Sequence, residues 1–307
     1  MDRARAEPCG VLLLDKPAGY SSTQALGRAK RLLAAPKAGH TGTLDPFATG
    51  LLPLAFGEAT KFSRFLIDAP KSYQALLVLG EETATGDTEG DVIARCAPET
   101  RTDRIDEVLR RFMGAQDQTP PMHSAVRVKG RRLYEYARAG QAVERPVRRI
   151  AITRLERLAF EGPLLTLAVS CSKGTYIRTL AMDIGQALGC GAHLRALRRT
   201  ATGPFGIDAA CTLDQLEHEG MERARLRLLP MDILVAGVAR AEVSAEIGWR
   251  FRNGQEVPHE SAPEGSEWAL FEAGGAFLGI ARAPRAGVLA PERVVASPVA
   301  AAAGEIT

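Results

Sequence analysis

Apolar residues follow two rhythms along this chain of 307 residues: short runs, unbroken or alternating, and stretches spaced as on a helix face. Val11 to Leu14 is an unbroken run that predicts a buried strand, closed by the turn Asp15-Lys16-Pro17-Ala18-Gly19. Ser21, Ser22 and Thr23 then offer N-caps for a helix with apolar positions Leu26, Ala29, Leu32 and Leu33. A second run, Leu51 to Phe56, would anchor the loop before it in a core. Tyr73 to Leu79 is rich in strand formers and leads into a Thr/Gly/Asp-rich turn, Thr83 to Gly90, read as structural, and another short strand. Ile105, Val108, Leu109 and Phe112 recur at helical spacing and predict a helix over Thr102–Met113, with Thr102 as cap and Gly114 as stop.

Alternation over 150–160 and 164–171 predicts two strands. Ile177, Leu180, Ala181, Ile184 and Leu188 make one helix face ended by Gly189, which puts Tyr176 and Arg178 at a strand-to-helix junction where side chains can point into a cleft. A charged, helical connection runs on to about Val235. From Ala239 the character changes: short apolar runs, Gly274-Gly275, prolines and almost no helical periodicity. Trp268 to Phe271 and Phe277 to Arg282 read there as strands of a small β domain. The pattern divides the chain into 1–235, a small domain over 239–297, and an Ala-rich tail over 298–307 predicted to be disordered.

The net charge of +3 is too small to imply nucleic acid by itself, but its distribution is uneven. From Arg240 onward there are 6 Lys/Arg against 9 Asp/Glu, which leaves 33 against 27 for the first 239 residues. The positive charge sits with the larger part, as an RNA-binding protein requires. It is densest in 118–150, where Arg127 to Arg149 holds 8 Lys/Arg against 2 acids, interleaved with Tyr134 and Tyr136. Such an excursion suits an RNA clamp, with cations on phosphates and rings on bases, although a solvated loop would have similar composition. The cluster Arg195, Arg198 and Arg199 also suits phosphate contacts. Five scattered cysteines without a C-x-x-C pair read as reduced thiols, and the first residues, MDRARAEPCG, lack the apolar core of a signal peptide. A cytoplasmic protein without a membrane span is expected.

Chemistry concentrates between Gly39 and Arg64, GHTGTLDPFATGLLPLAFGEATKFSR. Asp45 stands among Gly39, Gly42 and Gly50, with Pro46 restricting the backbone on its far side. A carboxylate on a stiff loop with apolar backing is a common way to present a nucleophile or general base. On local chemistry alone, an Asp before Pro in such a segment is more often a turn or cap residue. A phosphate-binding loop is excluded because no Gly-Lys-Ser/Thr follows the glycines. A metal site from His40 and Asp45 lacks further ligands nearby, so neither metal nor cofactor is expected.

The same stretch, GHTGTLDPFATGLLPLAFGEATK, closely resembles the signature of the tRNA pseudouridine synthase B family. VLLLDKPAGYSS, KGTYIR and Leu197 in HLRALRRTATGPFG match in the family's order, and the resemblance covers nearly all of the first two-thirds of the chain. The resemblance implies an α+β fold with a mixed, largely antiparallel central sheet flanked by helices. An RNA-binding thumb is inserted at 118–150, and a small β-rich, PUA-like domain follows. It implies Asp45 as the catalytic acid and Arg178 paired with it; Lys16, in the matching opening segment, reads equally as a phosphate or carboxylate partner supporting the acid and as a solvated turn lysine. It implies a substrate pocket of Tyr73, Tyr176 and Leu197, with His40 acting on the RNA as the target base is flipped. One departure is His123-Ser124-Ala125, where the family usually has Tyr-Ser-Ala. The implied activity is conversion of uridine 55 in the T loop of tRNA to pseudouridine, by a monomer needing no protein partner.

Two rivals differ in class. One is an RNA-binding or tRNA-folding module without chemistry, which has no use for an ionised acid in a uracil pocket. The other is the guide-RNA-dependent synthase, whose members generally lack the thumb and carry basic tails. This chain has the basic excursion, and its tail after Ser297 contains no Lys or Arg. A glycosidase would need a second acid opposite Asp45, and nothing in the setting of Glu58 aims it there. The resemblance of 239–297 to an appended RNA-binding module is weak, and its negative charge points equally to a structural role.

Overall fold

The computed structural model describes residues 7–124 and 126–296; the expected disordered tail lies outside the described residues. In chain order the elements begin with strand β1 (Gly10–Lys16), helix α1 (Ser22–Leu32) and strands β2 (Ala38–His40) and β3 (Thr49–Phe56). Helix α2 (Arg64–Ile67), strand β4 (Lys71–Leu79) and the hairpin β5 (Glu81–Thr83) and β6 (Val92–Arg95) come next. Helix α3 (Thr102–Arg111) and strand β7 (Gly114–Gln118) precede the thumb, which holds β8 (Arg127–Val128), β9 (Arg131–Arg132) and helix α4 (Leu133–Arg138). The chain returns through β10 (Arg148–Glu161), β11 (Leu164–Cys171), helix α5 (Ile177–Leu188), β12 (Ala192–Thr202), β13 (Phe205–Gly206) and helix α6 (Leu213–Leu226).

The main sheet runs β1-β3-β12-β4-β11-β10-β7, with β2 on β3 and β13 on β12. Only the β3–β12 pair is parallel, so the sheet is mixed and largely antiparallel, as the resemblance implied. Registers bring Tyr73 opposite Arg199 and Arg199 opposite Gly50, so three neighbouring strands present these residues in one row.

The unbroken apolar runs of β1 and β3 have a physical cause. Leu12, Leu14, Leu52 and Leu54 face the main core, while Val11, Leu13, Leu51 and Ala55 face a second cluster shared with the C-terminal domain. Strands covered on both faces have no solvent side on which to alternate polar residues. The C-terminal domain is a five-stranded sheet ordered β14 (Ala239–Val243), β16 (Glu267–Glu272), β17 (Phe277–Arg285), β18 (Val288–Val294), β15 (Val257–Pro258). Part of its acidity is engaged in docking, since Glu267 and Glu292 meet Arg64 at 2.7 and 2.9 Å. Glu58 accepts from the backbone N–H of Ala296 at 2.8 Å and pairs with Lys61, far from any shared role with Asp45.

Two local expectations are corrected. Arg101, not Thr102, occupies the cap position of α3, without a side-chain cap, and the helix ends at Arg111 while Gly114 opens β7. The C-terminal domain contains helix α7 (Ala245–Arg252), capped by Ser244. Its eight residues bury only Gly248 and Phe251, too few to show a period in the sequence. No helix among the described residues is long and apolar enough to cross a membrane.

Candidate active site

Asp45 sits in a loop held from several sides. Ser22, the first residue of α1, accepts the Leu44 N–H at 2.8 Å through its hydroxyl and donates to the Leu44 carbonyl at 3.1 Å. The N–H of Gly19 donates to the Pro46 carbonyl at 2.9 Å, and the Ala48 N–H to the Asp45 carbonyl at 3.1 Å. Lys16, fully buried, donates from Nζ to the carbonyls of Pro17, Tyr20 and Pro46 at 2.8, 2.6 and 3.3 Å. Lys16 therefore fastens the backbone beside the acid and does not touch its carboxylate. Burial brings its ammonium down to about 8, with the Asp45 charge opposing.

The Asp45 carboxylate is gripped by two arms of one guanidinium. Arg178 Nε meets Oδ2 at 3.1 Å and Nη2 meets Oδ1 at 3.2 Å. The side chain of Asp45 is 33% exposed and that of Arg178 5%, so the acid is reachable while its partner is sealed behind it. The rest of the guanidinium is also committed. Nη1 meets Asp87 Oδ2 at 3.1 Å, and Nη2 donates to the His123 carbonyl at 2.7 Å. Burial raises the Asp45 carboxyl above its usual range, Arg178 and Lys16 oppose that rise, and the Asp87 charge adds to it.

Around this acid lies a cavity of about 270 Å³ walled by Tyr73, Tyr176 and Leu197, with Lys71 and Arg199 also on its wall. It is smaller than the ~300–1,000 Å³ pockets of drug-sized ligands. Tyr176 is placed by Gln118 at the thumb's base, whose side chain accepts its N–H at 2.8 Å and donates to its carbonyl at 3.1 Å. Burial pushes the Tyr73 phenol up, and the Arg199 guanidinium beside it pulls the other way. The thumb carries exposed Arg131 and Arg132, with guanidiniums 4.6 Å from the Tyr136 ring centre and 5.8 Å from that of Tyr134.

Sequence comparison settles the family. A model described as "TruB family pseudouridylate synthase (N terminal domain)" matches residues 30–177. "tRNA pseudouridylate synthase B C-terminal domain" matches 178–236, and "Pseudouridine synthase II TruB, C-terminal" matches 239–295. The chain belongs to the TruB family of pseudouridylate synthases. Proteins named tRNA pseudouridine synthase B from Ralstonia nicotianae and Cupriavidus pinatubonensis are 51% and 52% identical to it, over 95% of each chain. Among solved structures, a chain of the crystal structure of a Cbf5-Nop10-Gar1 complex is 29% identical with a TM-score of 0.70, over 91% of this chain and 80% of that one. The structure of an H/ACA RNP bound to a substrate RNA containing 2′-deoxyuridine shares the fold, with a TM-score of 0.71 at 24% identity over 96% and 90% of the two chains.

In this TruB-family chain Asp45, Tyr73, Tyr176, Arg178 and Leu197 share one cavity, whereas Lys16 and His40 do not line it. His40 lies on β2, half-buried, with Nδ1 enclosed and without a hydrogen-bond partner; burial and Arg199 hold its ring below the usual histidine range. The arginine cluster on β12 is corrected. Arg199 is 2% exposed and donates to the Leu51 and Gly42 carbonyls at 2.6 and 3.1 Å, so it binds the Asp45 loop rather than phosphate. Arg198 holds Asp15 at 2.7 and 3.1 Å, and Arg195 alone of the three is exposed.

Sequence reasoning missed Asp87, which sits in the turn read as merely structural. Its Oδ1 accepts from the Thr85 hydroxyl at 2.5 Å and the Glu89 N–H at 3.0 Å, while Oδ2 holds Arg178. At position 123 it is the backbone carbonyl that reaches Arg178, a contact indifferent to whether the residue is His or Tyr.

Proposed function

We propose that this protein converts uridine to pseudouridine at position 55 in the T loop of tRNA, acting alone and without metal or cofactor. The observation that carries the reading is Asp45: a reachable carboxylate, held in both oxygens by a buried arginine, opening on a cavity walled by two tyrosines and a leucine. The relatives named tRNA pseudouridine synthase B, alike over 95% of each chain, support tRNA as the substrate.

The reaction detaches uracil from C1′, turns it and rejoins it through C5, with no oxidation and no entering group. Asp45 supplies the ionised acid, whether it meets C1′, the ring or a sugar proton. Arg178 keeps its two oxygens oriented. Tyr73, Tyr176 and Leu197 hold the loose base between walls while it rotates, each stacked ring contributing about 1–3 kcal/mol. Tyr73 assists loss of the C5 proton; Tyr73→Phe then loses turnover and keeps RNA affinity, and full turnover by that variant removes Tyr73 from the step. Flipping the target out of the folded loop costs a few kcal/mol. The uncharged, flat ring of His40 fills the vacated space, so His40→Ala weakens the fluorescence change of 2-aminopurine placed at the target; an unchanged signal refutes that role.

The test incubates purified protein alone with unmodified tRNA and maps pseudouridine along it. Modification confined to position 55, and lost when that uridine is replaced by cytidine, supports the proposal. Modification that requires an added guide RNA favours the H/ACA-like alternative, to which the likeness in fold gives some weight. RNA binding without modification under any condition favours a folding module.

A further inference from the structure

The cavity wall carries more positive charge than its acids require. Arg178 touches both Asp45 and Asp87, the Lys16 charge lies beneath the Asp45 loop, and the exposed Glu89 acts on Asp45, Arg178 and Lys16 from the Asp87 turn. Three carboxylates therefore face two cations before Lys71 and Arg199 are counted, and four cations with them. Lys71 and Arg199 remain. They are 7% and 2% exposed, line the same cavity as Asp45, and neither pairs with a carboxylate among the described residues. Asp68, close in sequence to Lys71, is held by Lys173 at 2.8 Å.

Both cations are fixed in place. Lys71 Nζ donates to the carbonyls of Leu66, Ile67 and Ala69 at 3.1, 2.6 and 2.7 Å, which uses all three ammonium protons. Arg199 donates from Nε and Nη2 to the carbonyls of Leu51 and Gly42. The two meet at one place: a Cβ on Gly42 would lie 3.5 Å from Arg199 Nη1 and 3.9 Å from Lys71 Cε. Burial brings Lys71 down to about 8, which leaves it charged at neutral pH. Burying cations without a carboxylate is expensive, and a loop could be stapled by neutral amide donors instead. Fixed, preorganised charge in a sheltered site is useful where opposite charge develops during a reaction.

We propose that Lys71 and Arg199 form a positive floor that stabilises the negative charge carried by the uracil ring between detachment and rejoining. The proposal rests on the function given above but not on the order of its steps. If Asp45 bonds to C1′ or removes a sugar proton, the C1′–N1 electron pair leaves with N1 and spreads over O2 and O4. If Asp45 adds to C6 of the ring, the C5=C6 pair moves onto the C4 oxygen, and the C1′–N1 bond then breaks with its pair left on N1. In each case a ring electron pair forms the C5–C1′ bond, C5 loses its proton, N1 gains one, and the bond that Asp45 made breaks or the sugar proton that it took is returned. Lys71 and Arg199 act through their field and transfer nothing.

The test compares Lys71→Met, which removes the charge, with Lys71→Arg, which keeps it. C5-tritium release from a T-arm RNA is followed in single turnover at saturating protein, beside RNA affinity. Lys71→Met slows release by about 10²–10³-fold, the range for losing one preorganised electrostatic group. Lys71→Arg, which keeps the charge, retains more of the release than Lys71→Met, and RNA affinity is unchanged in both. Release by Lys71→Met at the parent rate, or equal loss in both variants, overturns the proposal. Because Met at this position can compromise folding, a second measurement uses the unaltered protein. There 5-nitrouracil, an anion at neutral pH, must inhibit at lower concentration than neutral uracil; equal or weaker inhibition overturns the positive floor. Failure of the unaltered protein to release tritium at all instead overturns the function on which the proposal rests.

Discussion

Replacing Asp87 by Asn tests whether the active site depends on a carboxylate remote in sequence from the acid it serves. Asn retains the oxygen that accepts from Thr85 and the Glu89 N–H, so the turn keeps its shape. It places an NH₂ group where Oδ2 met Arg178 Nη1 at 3.1 Å, setting donor against donor. A hydrogen bond to a charged group contributes about 1.5–3 kcal/mol. The ~3–5 kcal/mol penalty of a stranded buried charge is not reached, because Arg178 keeps Asp45 and the His123 carbonyl. At about 2–4 °C per kcal/mol for a chain of this size, the melting temperature falls by roughly 3–12 °C. Catalysis suffers more, since a reacting group misplaced by about 1 Å costs on the order of 10²-fold. The acid limb of the pH–rate profile also moves down, because a like charge that raised the Asp45 carboxyl is gone. Thermal melting, single-turnover tritium release and its pH profile measure the three effects. An Asp87→Asn protein that melts, turns over and titrates like the parent refutes the reasoning.

Three further outcomes follow from the geometry. Gly50→Ala puts a Cβ 2.3 Å from the Arg199 carbonyl oxygen at a backbone φ of +102°, so the variant loses on the order of 3 kcal/mol or more in denaturant unfolding. An undiminished midpoint would refute the tight β3–β12 contact. The pH–rate profile of the unaltered protein rises through a pKa above the ordinary carboxylate range, as Asp45 ionises, and falls through about 8 as Lys16 and Lys71 lose protons. Between about 8 and 10.5 the unfolded chain holds protons that these folded lysines have released, so their titration favours folding as pH rises, and the decline is one of activity alone. Melting temperatures across that range separate the two. Replacing exposed Arg131 and Arg132 by Ala lowers the slope of log affinity against log salt by roughly one per arginine and leaves the saturated rate intact; an unchanged slope removes the thumb from the phosphate contacts.

What the sequence made legible was whatever local spacing controls. The serine cap of α1, which the structure places at Ser21, the apolar face of α5 with Gly189 in the left-handed region, and the strands β4, β10 and β11 all follow from side-chain period and cap chemistry. The Asp45 loop was visible because its glycines, proline and apolar anchor are contiguous. Its restraints were not visible, because Lys16, Ser22 and Arg199 reach it from other elements. Asp87 was hidden for two reasons: an acid in a Thr/Gly turn is ordinary, and only the folded chain shows Arg178 pressed against it. Arg199 misled for the opposite reason. In sequence it neighbours Arg195 and Arg198, whereas in the sheet its register turns it inward beside Tyr73 and Gly50.

The central claim is that Asp45 performs chemistry on a flipped uridine. The direct measurement is tritium release from C5-labelled T-arm RNA by the parent protein and by Asp45→Asn, with filter binding of both alongside. The account predicts release by the parent alone while both bind the RNA. Equal release by Asp45→Asn, or binding without release by either protein, would contradict it.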